Sequence, residues 1–151
     1  MAKFSNKSKE KLKGVHPDLV KVLELAITYT KQDFSITEGV RTKEQQAIYV
    51  RTGKSKTMNS KHLIQSDGYG HAVDVVPNPV SWELDKFYLI ADAIEKAAEF
   101  YGVNIRWGGA WVKFDNNQDD NERGLVEDYS KTRRLQGNKV FIDAPHFEIV
   151  L

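Results

Sequence analysis

The sequence predicts an α+β fold, in which helices flank a small and mainly antiparallel sheet. Two observations support this prediction. Segments with helical spacing of apolar residues occur beside short segments with strand-like alternation. These segments are mixed without the regular strand–helix–strand rhythm that indicates a parallel sheet. The chain has 151 residues, a length typical of one domain, and we therefore expect a single domain over residues 1–151.

The first half of the chain is predicted to contain two helices with a strand between them. Pro17 suits the first position of a helix, and apolar residues follow it at helical spacing. Residues 34–40 alternate between apolar and polar and therefore predict a strand. Thr42 and Gln45 form a capping-box pattern, which indicates the start of a second helix that ends near Gly53.

The second half is predicted to contain three strands and one long helix. Residues 71–76 have the composition of a short buried strand. Ser81 is predicted to cap a long helix, which Gly102 ends. Residues 104–107 and 146–151 are predicted to form two further strands with a long loop between them.

The charge balance and the hydropathy exclude several classes of protein. The chain has 22 basic and 21 acidic residues, whereas nucleic-acid binders usually have a clear basic excess. No segment approaches the roughly 20 apolar residues of a membrane span, so we expect no membrane insertion. The basic first thirteen residues predict a solvated, partly frayed start, and they show no signal peptide pattern. A monomer that remains in the cytoplasm is expected unless another factor releases it.

Three short segments carry the residues with catalytic potential. His62 follows Ser60, Asp74 follows His71, and His146 lies three residues after an aspartate, Asp143. The chain has no cysteine, so a zinc ion would need His, Asp or Glu ligands.

Two of these segments are predicted strands, on which side chains alternate between faces. Asp74 then shares a face with the small Ala72, and His146 shares a face with Glu148, while the residues between them point to a core. A bend before the last strand can bring Asp143 to the same site. A catalytic zinc needs three protein ligands and an open position for water. His62, Asp74 and His146 meet that need, and Asp143 is the candidate general base.

The same segments resemble a known family, the zinc D-Ala-D-Ala carboxypeptidases and dipeptidases of bacterial walls together with the phage L-alanyl-D-glutamate peptidases. The family pattern is Ser-x-His, Gly-x-Ala-x-Asp and a later acid-x-x-His. It is matched here by residues 60–62, 70–74 and 143–146. The similarity extends from about Phe34 to the C-terminus and implies the hedgehog/DD-peptidase fold.

The resemblance also implies roles for particular residues. It implies Zn²⁺ as the cofactor, with His62, Asp74 and His146 as its ligands and Asp143 as the catalytic base. Arg41 matches a family arginine that contacts substrate, and a catalytic role is expected in binding a substrate carboxylate or the developing oxyanion. Two further residues are expected to contact substrate, namely Ser60 and Trp107.

The spacing of the first two ligands departs from the family pattern. They lie twelve positions apart here, whereas the family usually has seven, and the five extra residues fall within residues 63–69. A longer loop can keep both ligands in place, because Asp67-Gly68 supplies a turn. The alternative is that His71 replaces His62. The preceding Ser60 favours His62, and a regular strand would point His71 away from Asp74.

The resemblance is closest to the phage endolysin branch of the family. It implies a peptidase that cuts peptidoglycan stem peptides, at the L-alanyl-D-glutamate bond, for lysis of the host cell. Such an enzyme would accumulate in the cytoplasm of the infected host and reach the wall through a separate phage-encoded pore. The alternatives are a bacterial D,D-carboxypeptidase or dipeptidase and a non-catalytic zinc-stabilised binding module.

Residues 115–122 resemble the start of a calcium loop, although a solvated loop is the preferred interpretation.

Overall fold

The computed structural model describes residues 2–113, 122–136 and 143–151. Within these residues, five helices and five strands follow one another along the chain. They are α1 (Asn6–Lys11), α2 (Pro17–Tyr29), β1 (Phe34–Glu38), α3 (Lys43–Arg51), β2 (Ala72–Pro77), α4 (Leu84–Tyr101), β3 (Ile105–Trp107), β4 (Val112–Lys113), α5 (Glu122–Leu135) and β5 (His146–Ile149). No helix among the described residues is long and apolar enough to cross a membrane.

The strands form one sheet in the order β1-β2-β5-β3-β4, and every neighbouring pair is antiparallel. The C-terminal strand β5 lies in the centre of this sheet, between β2 and β3. Its register places Asp74 opposite His146 and Ala72 opposite Glu148. The predicted α+β class with an antiparallel sheet is therefore confirmed, and the last segment of the chain is fixed on both sides.

The apolar core lies between the sheet and two long helices. Helices α2 and α4 pack against each other and contact β2, β3 and β5. Fully buried side chains come from both helices and from the strands, including Leu19, Leu23, Ile90, Ile94, Ile105, Val73 and Phe147. Burial of one such side chain contributes about 1.5–3 kcal/mol, so this layer holds the sheet firmly. Asp74 and His146 lie together on the face of β2 and β5 that points away from this core, as the strand alternation predicted.

Most of the predicted helix boundaries are confirmed by their capping residues. Pro17 occupies the first turn of α2, and Thr42 and Gln45 form the capping box of α3. Gly102 ends α4 in the left-handed conformation with φ 66°. The prediction that Ser81 caps α4 is wrong, because Glu83 holds the N-cap position and provides no side-chain hydrogen bond.

Two helices and a short strand were not predicted. The residues of α1 lack an apolar helical pattern, but Ser5 caps this helix and the buried hydroxyl of Ser8 accepts a hydrogen bond from the N–H of Ile36 at 3.1 Å. This contact spans 28 positions, which local patterns cannot reveal. The described part of the region predicted as a long loop contains β4 and α5. The proposed calcium-loop segment, residues 115–122, lies outside the described residues except for Glu122, the first residue of α5.

Candidate active site

Three candidate metal ligands converge on the polar side of the sheet. Asp74 and His146 are direct partners in the β2–β5 ladder, and His62 reaches them from the segment between α3 and β2. Asp74 Oδ1 lies 3.3 Å from His62 Nε2 and 3.4 Å from His146 Nδ1. The ligand atoms of all three residues lie within 4.8 Å of one another, which is close enough to share one metal ion.

Each histidine ring is oriented by a hydrogen bond from the nitrogen that points away from Asp74. His62 Nδ1 lies 2.9 Å from the carbonyl oxygen of Gly39, and His146 Nε2 lies 2.9 Å from Glu148 Oε1. Because both partners accept, each of these nitrogens donates its hydrogen there, and the other ring nitrogen, which faces Asp74, is the one that can bind a metal ion in place of a proton. Metal-binding histidines are typically fixed by such a partner, which sets both the tautomer and the ring direction.

The electrostatics of the site also fit a cation. Asp74 Oδ1 is buried, and it accepts no hydrogen bond from the described residues. Burial alone would raise the pKa of Asp74, but His146 and His62 hold this pKa well below its usual range. Burial disfavours charge on His146, yet Asp74 and Glu148 together raise the pKa of His146 to about 9. The carboxylates thus stabilise positive charge at this point, and two imidazoles with one carboxylate form a ligand set that zinc accepts in hydrolases.

Asp143 lies beside the three candidate ligands and is half-buried. Its backbone N–H donates to the carbonyl of Gly108 at 2.9 Å, and its own carbonyl accepts from the N–H of His146 at 3.0 Å. A Cβ atom on Gly108 would collide with that carbonyl, so glycine permits this close approach. Burial and the nearby Asp74 raise the pKa of Asp143 from its usual value, against the opposing effect of the nearby cationic side chains. The structure therefore brings a proton-accepting group to the predicted site.

Arg41 is buried and held by several partners. Its Nε donates to Glu38 at 2.7 Å, and one terminal nitrogen donates to the Gln46 side chain at 2.6 Å. The guanidinium lies over the ring of Tyr49, 4.6 Å from its centroid. The same terminal nitrogen is 3.5 Å from the hydroxyl of Ser60. Gln46 and Tyr49 were not predicted from the sequence as part of the site. Both lie on α3, and their contacts with the guanidinium group orient the Arg41 side chain.

Ser60 has a local role that the sequence motif left unspecified. Its hydroxyl accepts a hydrogen bond from the backbone N–H of His62 at 3.1 Å. This bond orders the short turn that brings His62 toward Asp74. Ser60 also lines the same cavity as Arg41, where it is accessible to a ligand. Its contact with substrate stays a prediction.

Trp107 does not lie on the cleft surface, and its predicted contact with substrate is wrong. The side chain is fully buried, stacks on Phe147 and donates from Nε1 to the carbonyl of Ala144 at 2.9 Å. Trp111 lies at the cleft instead, with its ring centroid 5.4 Å from that of His146. The turn at residues 108–110 separates the two tryptophans and sends them to different sides, which the sequence does not indicate.

His71 is not brought to the candidate metal site. Its Nε2 is 2.8 Å from Asp67 Oδ2, and its ring lies 5.7 Å from that of His16. The extra residues before β2 fold back on themselves, with hydrogen bonds between Gln65 and both Gly68 and Tyr69. The insertion is therefore accommodated as a turn, and the geometry favours His62 as the ligand.

A cavity of about 680 Å³ opens onto the three candidate ligands. It also contains Asp143, Arg41, Ser60 and Trp111. Five basic side chains contribute to its lining, namely Arg41, Lys54, Lys56, Lys61 and Arg106. Four acidic side chains, Glu38, Asp74, Asp143 and Glu148, line it as well, so the basic residues are in slight excess and can receive the carboxylates of a substrate.

One family model, two phage proteins and one solved structure are similar to this chain. The family model described as phage L-alanyl-D-glutamate peptidase matches residues 1–150. The L-alanyl-D-glutamate peptidase of Escherichia phage T5 is 31% identical over 132 residues, which cover 83% of this chain and 93% of the T5 protein. An L-alanyl-D-glutamate peptidase of Listeria phage A118 is 36% identical over 85 residues, 54% of this chain and 27% of the A118 protein. The crystal structure of the Serratia marcescens L-Ala D-Glu endopeptidase ChiX is 38% identical in sequence, with a TM-score of 0.72, and the match covers 98% of this chain and 90% of that one.

Proposed function

The chain belongs to the phage L-alanyl-D-glutamate peptidase family and is a peptide hydrolase, and on this premise we propose that it is a zinc endolysin. The proposed substrate is the stem peptide of peptidoglycan, and the proposed bond is that between L-alanine and D-glutamate. Both proposals extend the names of the relatives to this chain.

One observation above all supports zinc as the cofactor. Asp74 Oδ1 is buried and finds no hydrogen-bond donor among the described residues, and it lies between the imidazole nitrogens of His62 and His146, whose rings are held by Gly39 and Glu148. An unpaired buried carboxylate oxygen is costly, and a divalent cation would remove that cost. His62 Nε2, His146 Nδ1 and Asp74 Oδ1 would hold the ion and leave a position open for water.

The reaction follows from the groups around this position. Zinc bound there would polarise the scissile carbonyl and lower the pKa of water to about 7, which makes hydroxide available at neutral pH. Asp143 accepts the proton of the attacking water and then delivers it to the nitrogen of the leaving amine. Its raised pKa suits this exchange, because an effective acid–base group titrates nearer to the working pH.

The basic cavity supplies a reason for the specificity. In a stem peptide, D-glutamate continues through its γ-carboxyl group, so its α-carboxylate stays free beside the scissile bond. Arg41 is held rigidly in this cavity by Glu38, Gln46 and Tyr49. A preorganised guanidinium binds a carboxylate or a developing oxyanion with little loss of conformational freedom.

Mass spectrometry of digested muropeptides tests the proposal. The purified protein should release D-glutamyl-diaminopimelate from a disaccharide-tripeptide and leave L-alanine on the sugar. Chelation should abolish the reaction, and added zinc should restore it. Release of D-alanine from a pentapeptide, with the L-alanyl-D-glutamate bond intact, would instead indicate a D,D-carboxypeptidase. Full activity in a metal-free preparation would contradict the assignment of zinc.

A further inference from the structure

The cleft continues past the candidate metal site into a second cavity. This cavity has a volume of about 420 Å³ and shares Asp74 and Asp143 with the larger one. Asp74, a candidate ligand, and Asp143, the candidate base, therefore lie at the junction of the two cavities. We call the larger cavity the basic arm, after its five basic residues, and the smaller cavity the aromatic arm. The apolar lining of the aromatic arm consists of Val76, Trp82, Leu84, Phe87, Ala144 and Pro145.

The two arms differ in charge and therefore in the ligand chemistry that they accept. Besides the two shared aspartates, the basic arm contains five Lys and Arg side chains and two glutamates, Glu38 and Glu148, whereas the rest of the described lining of the aromatic arm carries no charge. The polar residues of the aromatic arm are Thr37 and the two shared aspartates. A substrate with carboxylates on one side of the scissile bond and a neutral group on the other would match this arrangement in one direction only.

Trp82 gives the aromatic arm a flat apolar surface. Its side chain is 69% exposed on the segment between β2 and α4, which is unusual for a tryptophan. Its ring stacks on that of Phe87, with centroids 5.9 Å apart and an interplanar angle of 28°. Phe87 is itself buried in the core, so it supports the exposed ring from beneath. A supported aromatic face next to a catalytic centre indicates a binding surface.

The chemistry of the proposed substrate identifies the group that fits this arm, and the inference therefore rests on the proposed function. On the amino side of the scissile bond, L-alanine is joined by an amide to the lactyl group of N-acetylmuramic acid. That group is neutral and bears the methyls of its lactyl and acetyl substituents. On the carboxyl side, the peptide is acidic.

We propose that the aromatic arm binds the N-acetylmuramoyl group, while the basic arm binds the acidic part of the stem peptide. The sugar ring lies against the exposed face of Trp82. The lactyl and acetyl methyls contact the apolar lining that Leu84 and Pro145 provide. The enzyme therefore recognises the junction between glycan and peptide and not the peptide alone.

Two substrates that differ only in the acyl group on the amino side of L-alanine test this inference. The first is N-acetylmuramoyl-L-alanyl-γ-D-glutamyl-diaminopimelate, and the second carries a plain N-acetyl group in place of the muramoyl group. Both have the same scissile bond and the same amide on the amino side. The zinc-loaded protein should cleave the muramoyl substrate with the higher kcat/KM.

The variant Trp82→Ala should lose this preference. Its kcat/KM for the muramoyl substrate should fall roughly tenfold, mainly through KM, and that for the N-acetyl substrate should change little. Trp82→Tyr should retain most of the preference because it keeps a flat ring. Phe100→Ala is the matched control, since Phe100 is 74% exposed and lines neither arm.

The outcomes separate this inference from the proposed function. Equal cleavage of both substrates, unaffected by Trp82→Ala, would overturn the sugar site and leave the proposed bond specificity intact. An equal loss on both substrates in Trp82→Ala would also overturn it, because Trp82 would then support the catalytic centre and not the sugar. Cleavage of neither substrate by the unmodified protein would overturn the proposed function and the inference together.

Discussion

Asp74 and His146 occupy directly opposed positions of the β2–β5 ladder, with Asp74 Oδ1 3.4 Å from His146 Nδ1. Opposed residues of an antiparallel pair have Cβ atoms about 4.5–5.5 Å apart, so the backbone register alone brings these groups together. The apolar reverse sides of both strands pack on the core. Two of the three candidate ligands are thus held by neighbouring strands inside the sheet.

Glu148, which accepts a hydrogen bond from His146 Nε2, is expected to control the affinity of the site for zinc. Glu148→Gln removes the charged acceptor of His146 Nε2 but keeps the size of the side chain. The loss of such a partner typically lowers metal affinity by about 10–100-fold, and we expect a loss in this range. Competition with a zinc-sensitive dye measures it. Glu83→Gln, at an exposed helix end, is the control and should bind zinc normally.

The two histidines that flank the insertion should differ in their effect on zinc. His62→Ala removes a nitrogen 3.3 Å from Asp74 Oδ1, so this variant should lose the metal and the activity. His71→Ala removes contacts with Asp67 and His16, away from the candidate ligands, and should retain about one zinc per chain, as expected for a three-ligand site. Metal analysis after gel filtration distinguishes them. The reverse result would mean that the insertion rearranges when the metal binds.

Asp143 is expected to act as the base and not as a ligand. Asp143→Asn keeps the shape of the side chain but removes its ability to accept a proton. The variant should bind about one zinc, because the three ligands remain, and its turnover should fall by roughly 10²–10⁴-fold. Zinc titration and rate measurements on one preparation test both statements. A loss of zinc would identify Asp143 as a ligand, and near-normal turnover would exclude it as the base.

The sequence predicted those parts of the site that depend on local patterns. The capping box at Thr42 and the alternation around Asp74 and His146 are local, and both agree with the structure. The exchange of Trp107 for Trp111 at the cleft was not predictable, because a turn between them decides which ring enters the core. The aromatic arm likewise depends on the approach of α4 to β2, a long-range packing relationship that leaves no local signal.

A group of carboxylates at the contact between α4 and α5 lies apart from the cleft. Asp92, Glu95 and Glu122 have carboxylate oxygens within 4.8 Å of one another. Burial, Glu122 and Asp92 raise the pKa of Glu95 from 4.5 to about 8, and Glu99 adds to this effect. Lys96 forms an ion pair with Asp92 at 2.9 Å, so part of the negative charge is balanced. Glu95 therefore holds a proton in the folded state at pH values where the unfolded chain releases it.

This difference predicts that the stability of the fold decreases as the pH rises. Between pH 4.5 and about 8 the folded state binds more protons at Glu95 than the unfolded state, so the free energy of unfolding falls across this window. Glu95→Gln mimics the protonated form at every pH. Its melting temperature should match that of the unmodified protein near pH 5 and exceed it near pH 9, in thermal unfolding followed by circular dichroism. Glu24→Gln, an exposed position on α2, should have no such effect. A lower melting temperature for Glu95→Gln at pH 9 would mean that the charged form of Glu95 stabilises the contact between α4 and α5.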